Sequence, residues 1–156
     1  MLFNYITNNA SQTKKIGESL AKKILNKKKK EKKAQVLTLQ GELGGGKTTF
    51  LQGFAKGLGI KERILSPTFV IFKRFRLLNQ NFKFFYHIDC YRIKKEREIL
   101  SLGFKKIISN PQNIVAVEWA NHIKNILPKG VISIDFNFRD KNKRKIIIQW
   151  LNKKRN

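Results

Sequence analysis

Cysteine is nearly absent from this chain of 156 residues: Cys90 stands alone, so no internal disulfide can form. That usage fits a reduced, cytosolic setting. Long apolar runs are absent too, and none approaches the ~18 residues that a bilayer-spanning helix requires. The N-terminus lacks the basic-then-apolar layout of a secretory leader, which argues against export. No repeat of solenoid length runs through the sequence. Acidic residues are scarce, ten Asp and Glu against 34 Lys and Arg, for a formal charge of +24. Arginine is scarce as well, supplying eight of those 34. A basic surface attracts RNA or DNA in a salt-sensitive way. However, an excess made mostly of lysine, alongside abundant Asn, Ile and Phe, also fits A/T-rich coding with no ligand involved. The densest run, Lys27 to Lys33, falls between two expected elements, where a solvated loop suffices.

What is present reads as one α/β domain over residues 1–156. Ile16, Leu20 and Ile24 recur every four residues and predict an amphipathic helix from about Ser11 to Lys28. A strand follows at about 35–40, then a glycine-rich turn, then a helix from Thr48 to Leu58 closed by Gly59. Residues 69–77 and 82–89 read as two strands joined around Asn79-Gln80-Asn81. Helical patches are expected at 94–101 and 104–108. The continuous apolar run Ile114 to Val117 predicts a strand covered on both faces. After a short helix and Pro128-Lys129-Gly130, alternation at Ile132, Ile134, Phe136 and Phe138 marks a half-buried strand. A turn at Asp140–Lys143 leads into a last strand, Lys145 to Leu151. The expected architecture is a three-layer sandwich of the P-loop NTPase kind, its mixed sheet having parallel core strands and antiparallel additions.

The run Gly41-Glu42-Leu43-Gly44-Gly45-Gly46-Lys47-Thr48 fits G-x-x-x-x-G-K-[ST], with a strand before it and a helix after. Each residue type has a task there. Glycines let several backbone N–H groups approach phosphates, and the helix that follows adds the positive end of its dipole. Lys47 is placed to reach the β- and γ-phosphates, and the Thr48 hydroxyl to ligate Mg²⁺. Phosphoryl transfer also needs an acid at the tip of a neighbouring strand. Two are on offer: Phe84–Asp89 ends in Asp89, and Ile114–Glu118 ends in Glu118. His87, two residues before Asp89, lies on the same side of its strand, so packing, a hydrogen bond or chemistry are all open to it. His122 has no metal-spaced His or Cys companion and reads as a surface or capping residue.

The ordered set Gly41–Thr49 (GELGGGKTT), Ser66–Phe69 (SPTF), His87–Arg92 (HIDCYR) and Val117-Glu118-Trp119 (VEW) resembles the TsaE (YjeE) family. Those are bacterial ATPases of tRNA threonylcarbamoyladenosine biosynthesis. The similarity runs from about Thr13 to Pro128. It implies ATP and Mg²⁺ as ligands and a cycle coupled to the transferase subunit TsaD and its companion TsaB, with any tRNA contact coming through that complex. It implies that Gly41, Gly44, Gly45, Gly46, Lys47, Thr48 and Thr49 bind the nucleotide phosphates. Thr13 is implied near the base and Trp119 beside the site. Thr68, in the SPT segment, matches a switch that senses the γ-phosphate. Glu118 and Asp89 match the family's two functional acids, Glu118 being the stronger candidate for the metal. After Trp119 the chain reads Ala120-Asn121-His122, without the proline or acid often found there. Residues 131–151 carry little family signature. Two other readings start from the same residues. A small-molecule kinase shares the loop but usually carries an arginine-rich lid, which this sequence lacks. A non-catalytic RNA-binding module would rest on the charge alone.

Overall fold

The computed structural model describes residues 1–28, 31–42, 44, 46–65 and 72–151. Helix α1 (Ala10–Asn26) buries Thr13, Gly17, Leu20, Ala21 and Ile24, a stripe at helical spacing. Asn9 starts it: its side chain accepts from the Gln12 N–H at 2.9 Å, satisfying a donor that the first turn leaves free. Helix α2 (Lys47–Gly57) buries Phe50, Leu51, Phe54 and Ala55. Both helices lie where the apolar spacing places them.

Among the described residues, seven strands make one sheet: β1 (Leu2–Thr7), β2 (Gln35–Gln40), β3 (Phe72–Arg76), β4 (Phe84–Asp89), β5 (Asn113–Glu118), β6 (Ile132–Phe138) and β7 (Arg144–Trp150). Their order is β1-β7-β6-β2-β5-β4-β3. The central four, β6-β2-β5-β4, run parallel, while β7, β1 and β3 are antiparallel additions. This is the expected mixed sheet. Strand β1 is an addition to the sequence reading, which assigns nothing before Ser11. The hairpin of β3 and β4 forms in the register Phe72↔Ile88 to Arg76↔Phe84, and Asn79 closes its turn by accepting from the N–H groups of Asn81 and Phe82. Residues 69–71 of the expected strand lie outside the described residues.

Side chains alternate across the strands, and each face has its own helical cover. On one face, Leu37, Leu39, Phe85, Ala116, Ile134 and Phe136 meet Leu20 of α1 and Phe50 and Phe54 of α2. Rings interlock there, Phe50 edge-on to Phe136 at 5.5 Å and Phe54 against Phe85 at 5.6 Å. On the other face, Val36, Ile88, Val115 and Val117 meet Ile99 of α3 (Glu96–Leu100), Phe104 of α4 (Phe104–Ser109) and Ile123 of a kinked 3-10 stretch, Ala120–Ile126. Every residue of β5 is buried, which is why its sequence is continuously apolar from Ile114 to Val117. Full burial of each large apolar side chain contributes about 1.5–3 kcal/mol. Among the described residues, no helix is long and apolar enough to cross a membrane.

Candidate functional site

Parallel strands bring their carboxyl ends to one edge of the sheet. Strand β2 ends at Gln40, and its continuation leads into Gly41 and the glycine-rich turn. Gly46, at φ 99°, occupies the left-handed region that glycine enters freely, and it turns the chain into the first residue of α2, Lys47. Thr48 and Thr49 follow in the first turn of α2, both half-buried. Gly41 and Gly44 are in place on the loop, whereas Gly45 and Leu43 lie outside the described residues. So does Thr68 with the whole Ser66–Phe69 motif.

The two strand-end acids are neighbours. Asp89 and Glu118 are register partners across β4 and β5, on the sheet face that α2 covers. Glu118 is 3 % exposed. Its Oε2 accepts a hydrogen bond from His87 Nε2 at 2.6 Å. A carboxylate oxygen only accepts, so Nε2 carries the proton in this contact. His87 shares the face of Asp89 because it stands two residues before it. The sequence leaves His87 open between packing and chemistry; the structure gives it Glu118 as a partner. Asp89 Oδ1 accepts from the Tyr91 N–H at 2.9 Å. Burial raises the Asp89 carboxyl above its ordinary value. The Tyr91 N–H opposes this, Glu118 adds to it, and His87 and Lys47 oppose it further.

Lys47 is 6 % exposed. Its ammonium donates to the carbonyls of Gly41 and Glu42, the latter at 3.0 Å, and lies 5.0 Å from the centre of the Trp119 ring. Burial pulls its pKa down, and the charges of Glu118 and Asp89 counter that pull. One cation therefore sits between the loop and the acid pair. Trp119, directly after Glu118, is the one non-glycine residue with positive φ among the described residues, at 55°. A bulky side chain in that region costs of order 1–3 kcal/mol. The ring is held by Tyr91 at 5.0 Å and His122 at 5.9 Å. His122 in turn donates from Nδ1 to the Cys90 carbonyl at 2.7 Å, a structural contact. Cys90 is buried, which pushes its thiol up to about 12 and leaves it inert.

Thr13 reaches the loop from α1. Its hydroxyl pairs with that of Thr7 at 2.9 Å, and its methyl lies 3.8 Å from where a β-carbon on Gly46 would stand. Arg144 reaches the same loop from β7, Nη2 donating to the Gly44 carbonyl at 3.3 Å. The sequence reading passes over Arg144, since it falls in the stretch without family signature. Its only local signal is a basic residue following the Asp140–Lys143 turn.

An eleven-residue helix with its N-terminus behind a glycine turn, a buried lysine and two acids make a donor set for a polyphosphate with a divalent cation. Among the described residues, no group of three or more His, Cys, Asp or Glu could hold a metal alone.

The family model described as "Threonylcarbamoyl adenosine biosynthesis protein TsaE" matches residues 7–146. The tRNA threonylcarbamoyladenosine biosynthesis protein TsaE of Rickettsia felis is 34% identical over 140 residues, which cover 89% of this chain and 75% of the relative. The protein of that description from Bacillus subtilis is 44% identical over 103 residues, 66% of this chain and 61% of its own length. The crystal structure of Bacillus subtilis YdiB superposes with a TM-score of 0.69 at 30% identity, over 97% of this chain and 87% of that one. With it the chain shares the P-loop NTPase fold.

Proposed function

The chain belongs to the TsaE family, whose members take part in tRNA threonylcarbamoyladenosine biosynthesis, and from that premise we propose that it binds and hydrolyses ATP with Mg²⁺ in support of that modification, together with TsaD and TsaB, in the cytoplasm. The observation that carries the reading is the buried Lys47 standing between the glycine-rich turn and the paired acids Asp89 and Glu118. Loop amides and the N-terminus of α2 hold the phosphates, and Lys47 neutralises their charge where little water competes. Thr48 and Glu118, with Asp89 beside them, are the side chains that would hold Mg²⁺. The cation supplies neutralisation of the charge that builds on the transferred phosphoryl group.

His87 fixes one oxygen of Glu118 and so sets the direction of the other. Asp89, raised in pKa and next to Glu118, is placed to orient the attacking water. Thr68 is assigned the role of sensing the γ-phosphate, so that hydrolysis changes the surface offered to partners. Reconstituted tRNA modification with TsaD and TsaB provides the test. Omitting this chain, or replacing it with Thr48→Ala, should cut the product formed over many turnovers by at least about tenfold. Equal yield with the variant and the wild type would end this reading.

A further inference from the structure

The acid pair fixes one direction across the loop. Asp89 and Glu118 end β4 and β5, on one side of β2; the other neighbour of β2 is β6, which ends at Phe138. A triphosphate whose cation lies at the acids therefore leaves the loop over β6 and β7, beyond the carboxyl ends of the parallel strands. On that side stand Thr13, Phe136 and Arg144, each with an atom 3.8–3.9 Å from where a β-carbon on Gly46 would be. We propose that Arg144, laid on the ring of Phe138 at the mouth of the phosphate loop, is a stacking surface for the base of the bound nucleotide. This rests on the nucleotide-binding reading above.

The guanidinium is held as a plane. Its carbon lies 3.9 Å from the centre of the Phe138 ring. Nη1 donates to the carbonyls of Asp140, Lys141 and Lys143 at 3.1, 3.3 and 3.2 Å, and Nη2 to that of Gly44 at 3.3 Å. Among the described residues no carboxylate comes within ion-pairing distance of it. One face rests on Phe138, the edge is taken by carbonyls, and the group is half-exposed. Phe138 is itself 47% exposed although it ends a sheet strand. A fixed, delocalised cation of this kind binds through its face, and the flat π-surface of a nucleobase is the matching chemistry. Lysine has no such face. The turn carbonyls also make the surface rigid beforehand, so little rotamer freedom is lost on binding.

Calorimetric titration of wild type, Arg144→Ala and Arg144→Lys with ATP and with inorganic tripolyphosphate, both in Mg²⁺, tests the assignment. Arg144→Ala should weaken ATP about tenfold and leave tripolyphosphate unchanged, and Arg144→Lys should be as weak for ATP as the alanine variant. Phe138→Ala should copy that selectivity. If tripolyphosphate weakens in parallel and lysine restores both, the residue serves a phosphate or the loop, and the stacking role is overturned. Unchanged ATP affinity in Arg144→Ala overturns it as well. Failure of the wild type to take up either compound would instead remove the nucleotide reading, and this proposal with it.

Discussion

Lys47, Asp89 and Glu118 crowd three charges into a space that is largely closed to water, and the cost falls unequally. Asp89 has its carboxyl raised above the ordinary value by burial. An acid whose folded pKa lies above its unfolded one favours folding when protonated; that contribution is complete below the unfolded value and lost as pH rises through the folded one. Asp89→Asn should therefore unfold at a slightly higher temperature than wild type at neutral pH, and the gap should close on acidification. Melting curves across pH 3–8 read this directly, and a gap that widened toward acid would contradict the raised value. The site functions ascribed to its neighbours separate in kinetics. Lys47→Ala should lose ATP affinity by at least about tenfold, whereas Glu118→Ala should keep most of that affinity and lose Mg²⁺-dependent turnover by about a hundredfold. Normal turnover in the Glu118 variant would remove its role. At this scale the sequence was generous where chemistry is local. The loop lysine and threonine follow from adjacent residues, and each acid closes its own apolar run. The His87–Glu118 contact was not legible, because it joins residues 31 apart and depends on which strands pair in which register.

Helices α1 and α2 cross at glycines rather than over interlocking side chains. A β-carbon on Gly53 would stand 2.0 Å from the Lys14 carbonyl oxygen, and one on Gly17 would stand 2.2 Å from that of Phe50. Backbone thus meets backbone, and neither position can give way like the end of a flexible side chain. In an exposed helix, Gly→Ala gains up to about 1 kcal/mol. Here the sign should reverse, with Gly53→Ala losing about 1–3 kcal/mol in urea unfolding; a stabilised variant would show that the helices can part without penalty. The contact has a functional side, since the N-terminal turn of α2 carries Lys47 and Thr48. Setting the axis of α2 close against α1 sets where those side chains emerge. Sequence pattern located both helices from their apolar stripes, but apolar spacing says nothing about glycines that face a neighbour. Strand β1 escaped for a related reason. Leu2 and Ile6 are exposed, so the segment lacks the clean alternation of a half-buried strand, and its partner β7 lies more than a hundred residues on.

Taken whole, the molecule carries a formal charge of +24, and lysine–glutamate ion pairs such as Lys22–Glu18 and Lys73–Glu62 offset little of it. Self-repulsion of that size opposes compaction and is screened within about 10 Å at 0.1 M salt. The unfolding temperature should rise by a few degrees between about 20 and about 300 mM NaCl. A fall would mean that the ion pairs outweigh the repulsion. Charge was the easiest property to count and the poorest guide to the site, whose acids are a minority gathered at one sheet edge. The mixed sheet was legible because β5 is covered on both faces and reads as an apolar run, whereas β6 alternates as a half-buried strand does. Its outer edge has a further consequence for the order of assembly. Among the described residues strand β1 has only β7 beside it, and the Met1 carbonyl accepts from the Trp150 N–H at 3.0 Å. During synthesis β1 thus emerges well before its partner strand. It must stay unzipped, with Leu2, Tyr5 and Ile6 open to other chains, until translation has delivered β7.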